Sequence, residues 1–460
     1  MSVDGPSQLN VVLFSGGRGT ASISDALALH PQISLTLLVN AYDDGLSTGR
    51  LRRFIPGMLG PSDIRKNLSR LVGDVDSSDR AMKFLLEYRF PAGWSFDAGI
   101  AVLRSFRDSE LTAAWQNLSV GQAQEAMRYS HQFITYAERK KDQGEAFDFG
   151  DCSLGNLFFA GCYLEEGQDF NRAIEAFTLF CRARARVLNV TQGENLVLVG
   201  LKVDGTYLKD EAEIVSPQNT SQIAEIFLLE NYLNEGESRT AEALKAKSRI
   251  PTLNARARDC LAAADMIIYG PGTQHSSLFP SYMTEGLAEA IASNTDAEKI
   301  FVANIHKDHE IRSETASSLT AKLLTYLGRK GSLKLQWDQM VSRFFFHTAL
   351  RAGEGEKAEY VQFQSADFPY PLDRVTLVDW EVSGGQHRGG RVVDELIAIV
   401  NSRLQNKLRP FRHLVSIVVP GLNEKKTVRR VLHELSLLDF QKLGLGKEII
   451  FVDGGSTDGT

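Results

Sequence analysis

The ten residues Asp43-Asp44-Gly45-Leu46-Ser47-Thr48-Gly49-Arg50-Leu51-Arg52 hold two carboxylates, two hydroxyls and two arginines. Paired carboxylates suit Mg²⁺, a hard ion that takes oxygen ligands, and arginine grips phosphate through a planar fork of donors. A second cluster, Gly60-Pro61-Ser62-Asp63-Ile64-Arg65, adds Asp63 and Arg65. Two glycine loops stand far apart in the chain, Ser15-Gly16-Gly17-Arg18-Gly19 and Gly270-Pro271-Gly272-Thr273. Glycine lets backbone approach an anion, and a helix that begins just after it aims unpaired N–H groups at the same point. Ser153 and Asn156 enter an apolar helix, placed either to cap it or to meet an anion. Asn304 ends the apolar run Lys299 to Ile305. Together these residue types suit a phosphate-bearing ligand. If the site also turns it over, Asp43 and Asp44 hold the metal and Arg50, Arg52 and Arg65 neutralise developing charge. No Ser/His/Asp or Cys/His arrangement points to covalent catalysis. His306-Lys307-Asp308-His309-Glu310 is contiguous, so its side chains do not converge on one ion, and it reads as a solvated loop. His275 has no partner at ligand or triad spacing and reads as an ordinary loop histidine.

The elements that must position these residues follow from apolar periodicity. Val11 to Phe14 and Ile33 to Asn40 read as buried parallel strands around the helix Thr20 to Leu27. Strand, glycine turn and helix open a doubly wound fold, and Asp43 lies 24 residues after Gly19, near the offset of the acidic ribose contact in such folds. Asp265 to Tyr269 and Lys299 to Ile305 are two more strands of this kind, each ending in a polar loop. Residues 78–146 carry helical periodicity and read as an insertion that caps the site, with its aromatics in a core. Residues 330–373 read as irregular, Val375 to Trp380 as a strand, Arg391 to Leu404 as a closing helix and Gln405 to Pro410 as a linker. The expected fold class is therefore α/β: a doubly wound, Rossmann-like, mostly parallel sheet with a helical insertion. A βαβ unit follows the linker, with strands at Leu414 to Pro420 and Glu448 to Asp453. Two strands and one helix cannot bury a stable core alone, so this unit reads as incomplete.

Composition bounds the partners. The chain has 460 residues, 43% hydrophobic and 23% charged, as in ordinary globular protein. A net charge of −6 argues against general attraction to nucleic acid. No apolar run approaches the roughly 20 residues that span a bilayer, and Met1 to Pro6 lacks the pattern of a signal peptide. Cys152, Cys162, Cys181 and Cys260 have no metal-ligand spacing and read as buried thiols of a reducing cytoplasm. The residues do not fix the oligomeric state, and a homodimer is compatible with them.

Two resemblances emerge. Residues 10–408 resemble the CofD/YvcK-like family of 2-phospho-L-lactate transferases and gluconeogenesis factors. Gly16-Gly17-Arg18-Gly19, Asp43 to Arg52, Gly60 to Arg65, Ser153 to Leu157 and Gly270 to Thr273 match its motifs in order. The match is nearer the gluconeogenesis-factor branch, which is associated with UDP-sugar binding and with control of carbon flow and wall synthesis. The transferase branch joins a phospholactyl group to a deazaflavin, from a guanosine-diphosphate-linked donor and with a divalent metal. The resemblance thus implies a nucleotide sugar, or another nucleoside-diphosphate-linked small molecule, with Mg²⁺ as the metal. It carries over Gly16, Gly17, Arg18, Gly19, Ser47, Thr48, Arg50, Arg52, Asp63, Arg65, Ser153, Asn156, Gly270, Gly272, Thr273 and Asn304 as binding residues, and Asp43 and Asp44 as catalytic and metal residues. The chain departs from the family at Ser15, at Arg18, and at His306 to Glu310, where a Thr-Gln-x-Gly-Glu-Thr motif usually stands. Residues 409–460 read as a linker and the truncated start of a family 2 (GT-A) glycosyltransferase. The resemblance rests on Val418 to Glu424 and Val452 to Thr460, with Asp453 matching the donor contact.

Overall fold

Val11 to Phe14 are buried on both faces, which a strand achieves only in the middle of a sheet covered by helices on either side. In the computed structural model this strand, β1 (Leu9–Phe14), lies between β2 (Ile33–Val39) and β7 (Met266–Tyr269). Residues 8–106, 109–216, 221–348, 359–408, 413–438 and 445–460 are described. Met1 to Pro6, and Arg409 and Pro410 of the expected linker, lie outside them.

The main sheet has seven strands, all parallel. With β3 (Arg186–Asn189), β8 (Glu298–Val302), β9 (Arg343–His347) and β10 (Val375–Val378), its order is β10-β9-β8-β7-β1-β2-β3. Register is set by runs such as Val11 opposite both Leu35 and Met266. The chain leaves β1 in one direction to β2 and β3, and later returns on the other side through β7 to β10. The order therefore reverses between β1 and β7. In doubly wound sheets the crevice at that reversal, outside the carboxyl ends of the strands, is where ligands bind. The α/β expectation holds.

Between β3 and β7 the chain builds a small antiparallel sheet of β4 (Val197–Lys202), β5 (Tyr207–Leu208) and β6 (Ile223–Leu229), ordered β5-β4-β6. Val197, Val199, Phe227, Leu229 and Leu244 form its core. The helix Glu211–Val215 hangs from this sheet.

The insertion is helical, with helices Ser77–Glu87, Phe96–Ser105, Ser109–Asn117 and Val120–Asp142. Phe90, Phe106, Tyr129 and Phe133 of the insertion are core, and Phe133 packs edge-on against Phe147 and Phe149, while Phe84 is exposed. The expectation that it caps the site needs correcting, because of the insertion only Arg89 lines the cleft. The stretch expected to be irregular contains β9, whose Phe344, Phe345 and Phe346 are buried; Phe345 stacks on Trp380 at 5.3 Å.

The chain divides into two compact units, Met1–Val393 and Asp394–Thr460. The division falls inside the helix Gly389–Leu408, which runs through residues expected to be linker. In the second unit, β11 (His413–Gly421) and β12 (Leu445–Asp453) pair in parallel around the helix Val428–Leu437.

Candidate functional site

The β1 and β7 loops meet at the reversal point. A methyl group on Gly19 would overlap Gly272 Cα and lie 2.7 Å from the Pro271 carbonyl oxygen. Gly272 has φ +148°. Gly19 has no room for a side chain and the Gly272 backbone angle disfavours one, so backbone meets backbone and a cleft of about 1010 Å³ opens above the pair. Among the described residues, the N–H groups of Gly17, Arg18 and Gly19 donate to no protein acceptor. They precede the nine-residue helix Ala21–Leu29, whose N-terminal dipole favours negative charge. The Arg18 side chain is exposed at the cleft and makes no ion pair among the described residues.

Asn304 fixes the β7 loop from the end of β8. Its amide donates to the Gly272 carbonyl at 2.9 Å, and its oxygen accepts from the Gln274 amide at 2.8 Å. Ser277 sits beneath Gly16, where an added Cβ would be 2.6 Å from the Ser277 Cβ. Below this turn Glu310 is buried, and its carboxyl accepts the His275 N–H at 2.7 Å, the Ser276 N–H at 3.1 Å and the Ser276 hydroxyl at 2.6 Å. Burial, reinforced by Asp308, pushes Glu310 up to about 8 despite these donors. His275 is also fully buried, and burial, with Lys322 nearby, holds it well below its ordinary value. Both findings correct the sequence reading, which placed the 306–310 segment in solvent and His275 in an ordinary loop.

On the β2 side the cleft is lined by Asp43, Gly45, Ser47, Thr48, Ser62, Asp63 and Lys66. Asp63 pairs with Lys66 at 3.0 Å. Burial works against the Lys66 charge, but Asp63 and then Asp43 outweigh it and raise its pKa. Glu211 reaches in from the small sheet and accepts the Asp44 N–H at 3.4 Å. Burial first, then Asp43 and Asp63, push Glu211 well above the usual carboxylate range.

The structure brings ten of the expected residues to this cleft: Gly17, Arg18, Gly19, Asp43, Ser47, Thr48, Asp63, Gly272, Thr273 and Asn304. The other eight do not line it. Gly16 and Gly270 pack against Ser277 and Thr20. Asp44 turns into the protein, bonded by the Tyr232 hydroxyl and 3.8 Å from Arg52. Burial raises Asp44 and lowers Arg52, so desolvation outweighs their attraction. Arg52 donates instead to Asn195 and the Leu196 carbonyl, both at 2.8 Å. Arg50 pairs with Asp148. Arg65 is buried, 2.6 Å from Glu87 and bonded to Asn156 at 3.1 Å. Ser153 caps the helix Leu154–Glu165, and Asn156 also donates to Ser62 at 3.1 Å. Ser15, a departure from the family pattern, is buried and donates to Asn67 at 3.0 Å.

Asp43 and Asp44 are therefore not a converging pair, since neighbours in sequence point to opposite sides of the loop. Among the described residues no group of three or more His, Cys, Asp or Glu could hold a metal ion. Asp43 and Asp44 together do not form the expected Mg²⁺ site, and no step is routed through a metal. Burial pushes the Cys152 and Cys162 thiols up to about 12, which excludes them as nucleophiles near neutral pH. His306, Lys307 and Asp308, read from sequence as part of a solvated loop, line the cleft as well, whereas Glu211, Lys66, Ser277 and His387 line it and were not singled out from sequence. They come from separate elements, and no local pattern links them.

Fold and cleft together define a doubly wound α/β protein whose crevice lies at the reversal of strand order. The chain belongs to the family described as 2-phospho-L-lactate transferase CofD, whose profile matches residues 11–376. It is 26% identical over 320 residues to the gluconeogenesis factor of Halalkalibacterium halodurans, covering 69% of this chain and 74% of that protein. Its identity to the gluconeogenesis factor of Bacillus subtilis is 23%, over 64% of this chain and 67% of that one. A crystal structure of a UPF0052-family protein from Bacillus halodurans superposes with TM-score 0.58 and 21% identity, covering 85% of this chain and all of that one. No helix among the described residues is long and apolar enough to cross a membrane.

Proposed function

We propose that this protein binds a nucleoside-diphosphate-linked sugar in the cleft and acts as a regulator of central carbon or envelope metabolism; the gluconeogenesis part of this reading is supported by relatives named gluconeogenesis factors. One observation carries the reading: among the described residues, three consecutive N–H groups have no protein acceptor, at the reversal point, beside an exposed Arg18 that makes no ion pair. A diphosphate satisfies those donors and that charge together. The inward turn of Asp44 favours binding over metal-assisted transfer.

The family description supports a second reading, transfer of a phosphorus-containing group from a nucleoside-diphosphate donor. Of the acidic pair only Asp43 faces the ligand, so a divalent ion there would draw its other donors from phosphate and water. Calorimetry and product analysis with UDP- and GDP-linked sugars, with and without Mg²⁺, separate the two. Saturable binding without turnover supports the regulator. Metal-dependent release of a nucleoside monophosphate, abolished in Asp43→Asn, would replace it with the transferase.

For residues 413–460 the glycosyltransferase reading remains a proposal, since the family match ends at residue 376. Its support is local: Asp453 accepts the Ser456 N–H at 3.1 Å, and Asn423 accepts the Thr457 N–H at 2.9 Å, which gathers the matching residues at the strand ends.

A further inference from the structure

The β8 and β10 loops build an end of the cleft that the phosphate reading leaves without a task. His387 is 3% exposed there. Its ring donates to the Ala303 carbonyl, and Nε2 has no hydrogen-bond partner among the described residues. Burial, with His347 also acting against the charge, brings His387 down to about 4. The imidazole is therefore neutral at physiological pH. One nitrogen is occupied as a donor, and Nε2 carries a lone pair with nothing to accept from.

Beside it, His306 Nε2 lies 3.0 Å from Glu381 Oε1, near enough for charge pairing though not aligned as a hydrogen bond. Glu381 is fixed in turn by the Tyr360 hydroxyl at 2.8 Å and the Gly385 N–H at 2.7 Å. Lys307 also lines this end and makes no side-chain ion pair among the described residues. A buried acceptor left unsatisfied is destabilising, so an orphan atom on a residue that lines a cleft marks where a donor belongs.

The topology says which part of a ligand supplies that donor. From β2 to β8 is three inter-strand steps, roughly 14 Å at the usual spacing. A diphosphate seated between β1 and β7 leaves one half of the ligand on each side. On the β2 side the helix Glu211–Val215 presents Ala212 and the partly exposed Val215 to the cleft, apolar surface that suits the face of a base. The β8–β10 side presents imidazole acceptors and an ammonium group, which suit hydroxyls. We propose that His387 Nε2 accepts a hydrogen bond from a hydroxyl on the uncharged sugar half of a nucleoside-diphosphate sugar, held between the 304–308 and 384–387 loops. This rests on the nucleotide-sugar reading above and adds the ligand's orientation and the residue that reads its sugar.

Calorimetric titration of the full chain with UDP, UDP-glucose, GDP and GDP-glucose tests it. For whichever nucleotide series binds, His387→Leu should lose roughly tenfold in affinity for the sugar-linked form and nothing for the bare diphosphate. His387→Gln, whose amide oxygen can take the place of Nε2, should recover part of the loss. On the unaltered protein, one of the singly deoxygenated glucose analogues of the same donor should lose a similar factor, a readout independent of any variant. The proposal is overturned if His387→Leu binds the sugar-linked form like the wild type, if it weakens sugar-linked and bare forms equally, or if no single deoxygenation lowers affinity. Failure of the wild type to bind any of the four ligands would remove the nucleotide-sugar reading itself, and this inference with it.

Discussion

Glu310 carries the sharpest physical commitment in the site. It is buried beneath the loop that presents Gly272, and a folded-state pKa of about 8 means that it stays protonated at neutral pH. In the unfolded chain the same carboxyl ionises near its ordinary value of 4.5. Folding therefore takes up a proton between about pH 4.5 and 8, and the contribution of Glu310 to stability is largest below that window. As pH rises it is lost at about 1.4 kcal/mol per pH unit, levelling off above the folded-state pKa. Glu310→Gln removes the titration and keeps the shape. Its amide oxygen accepts the His275 and Ser276 N–H groups as the carboxyl does, and its NH₂ group meets the Ser276 hydroxyl, which turns from donor to acceptor.

Denaturant unfolding of wild type and Glu310→Gln at half-unit steps from pH 4.5 to 8.5 measures this. The difference between the two curves isolates Glu310 from its titratable neighbours His275 and Asp308. The variant should gain on the wild type as pH rises, by a few kcal/mol in total across the window. A variant several kcal/mol less stable at pH 7, with no narrowing toward pH 8, would mean that Glu310 is ionised and that its three donors bind an anion. Burial would then have been outweighed by hydrogen bonding, contrary to the argument here.

Three further outcomes follow from the cleft. Gly19→Ala should force the β1 and β7 loops apart at a cost of about 1–3 kcal/mol in stability, and nucleotide binding by calorimetry should fall further than the melting temperature accounts for. Arg18→Ala should weaken diphosphate binding by roughly tenfold to a hundredfold, in line with a charge-assisted bond, leave the melting temperature unchanged, and reduce the salt dependence of affinity. Arg65→Met should behave in the opposite way: its guanidinium is 2% exposed and bonds Asn156 and the Leu86 carbonyl, so stability should drop by about 2 kcal/mol or more while the nucleotide affinity of the folded fraction stays within twofold.

What was legible in the sequence was whatever a short stretch decides by itself. Val11 to Phe14 announced a buried strand and Gly16 to Gly19 a tight approach, because both signals are complete within a few residues. Which of two adjacent carboxylates faces a ligand is not decided locally. Asp44 points inward because Tyr232, 188 residues later, supplies its hydrogen bond. Arg65 matched the motif yet works as packing, because the insertion helix brings Glu87 over it. The run Arg343 to His347 was passed over because no glycine turn or helix pattern frames it, though its phenylalanines pair between β8 and β10. His387, Glu211 and Lys66 carried no pattern at all.

The same distinction separates the shared part of this site from its individual part. The reversal of strand order between β1 and β7 opens the crevice, and the close glycine contact beside it leaves the Gly17 to Gly19 N–H groups without protein acceptors among the described residues. The family's members can share that much and still bind different molecules. The flanks are where they can differ, and here the segment after Asn304 supplies both His306 at the β8–β10 end of the cleft and Glu310 beneath the Gly272 loop. A change in that one segment alters a ligand contact and the anchor of the phosphate loop together, so ligand preference and stability of the β7 loop should vary jointly among relatives that differ at these positions.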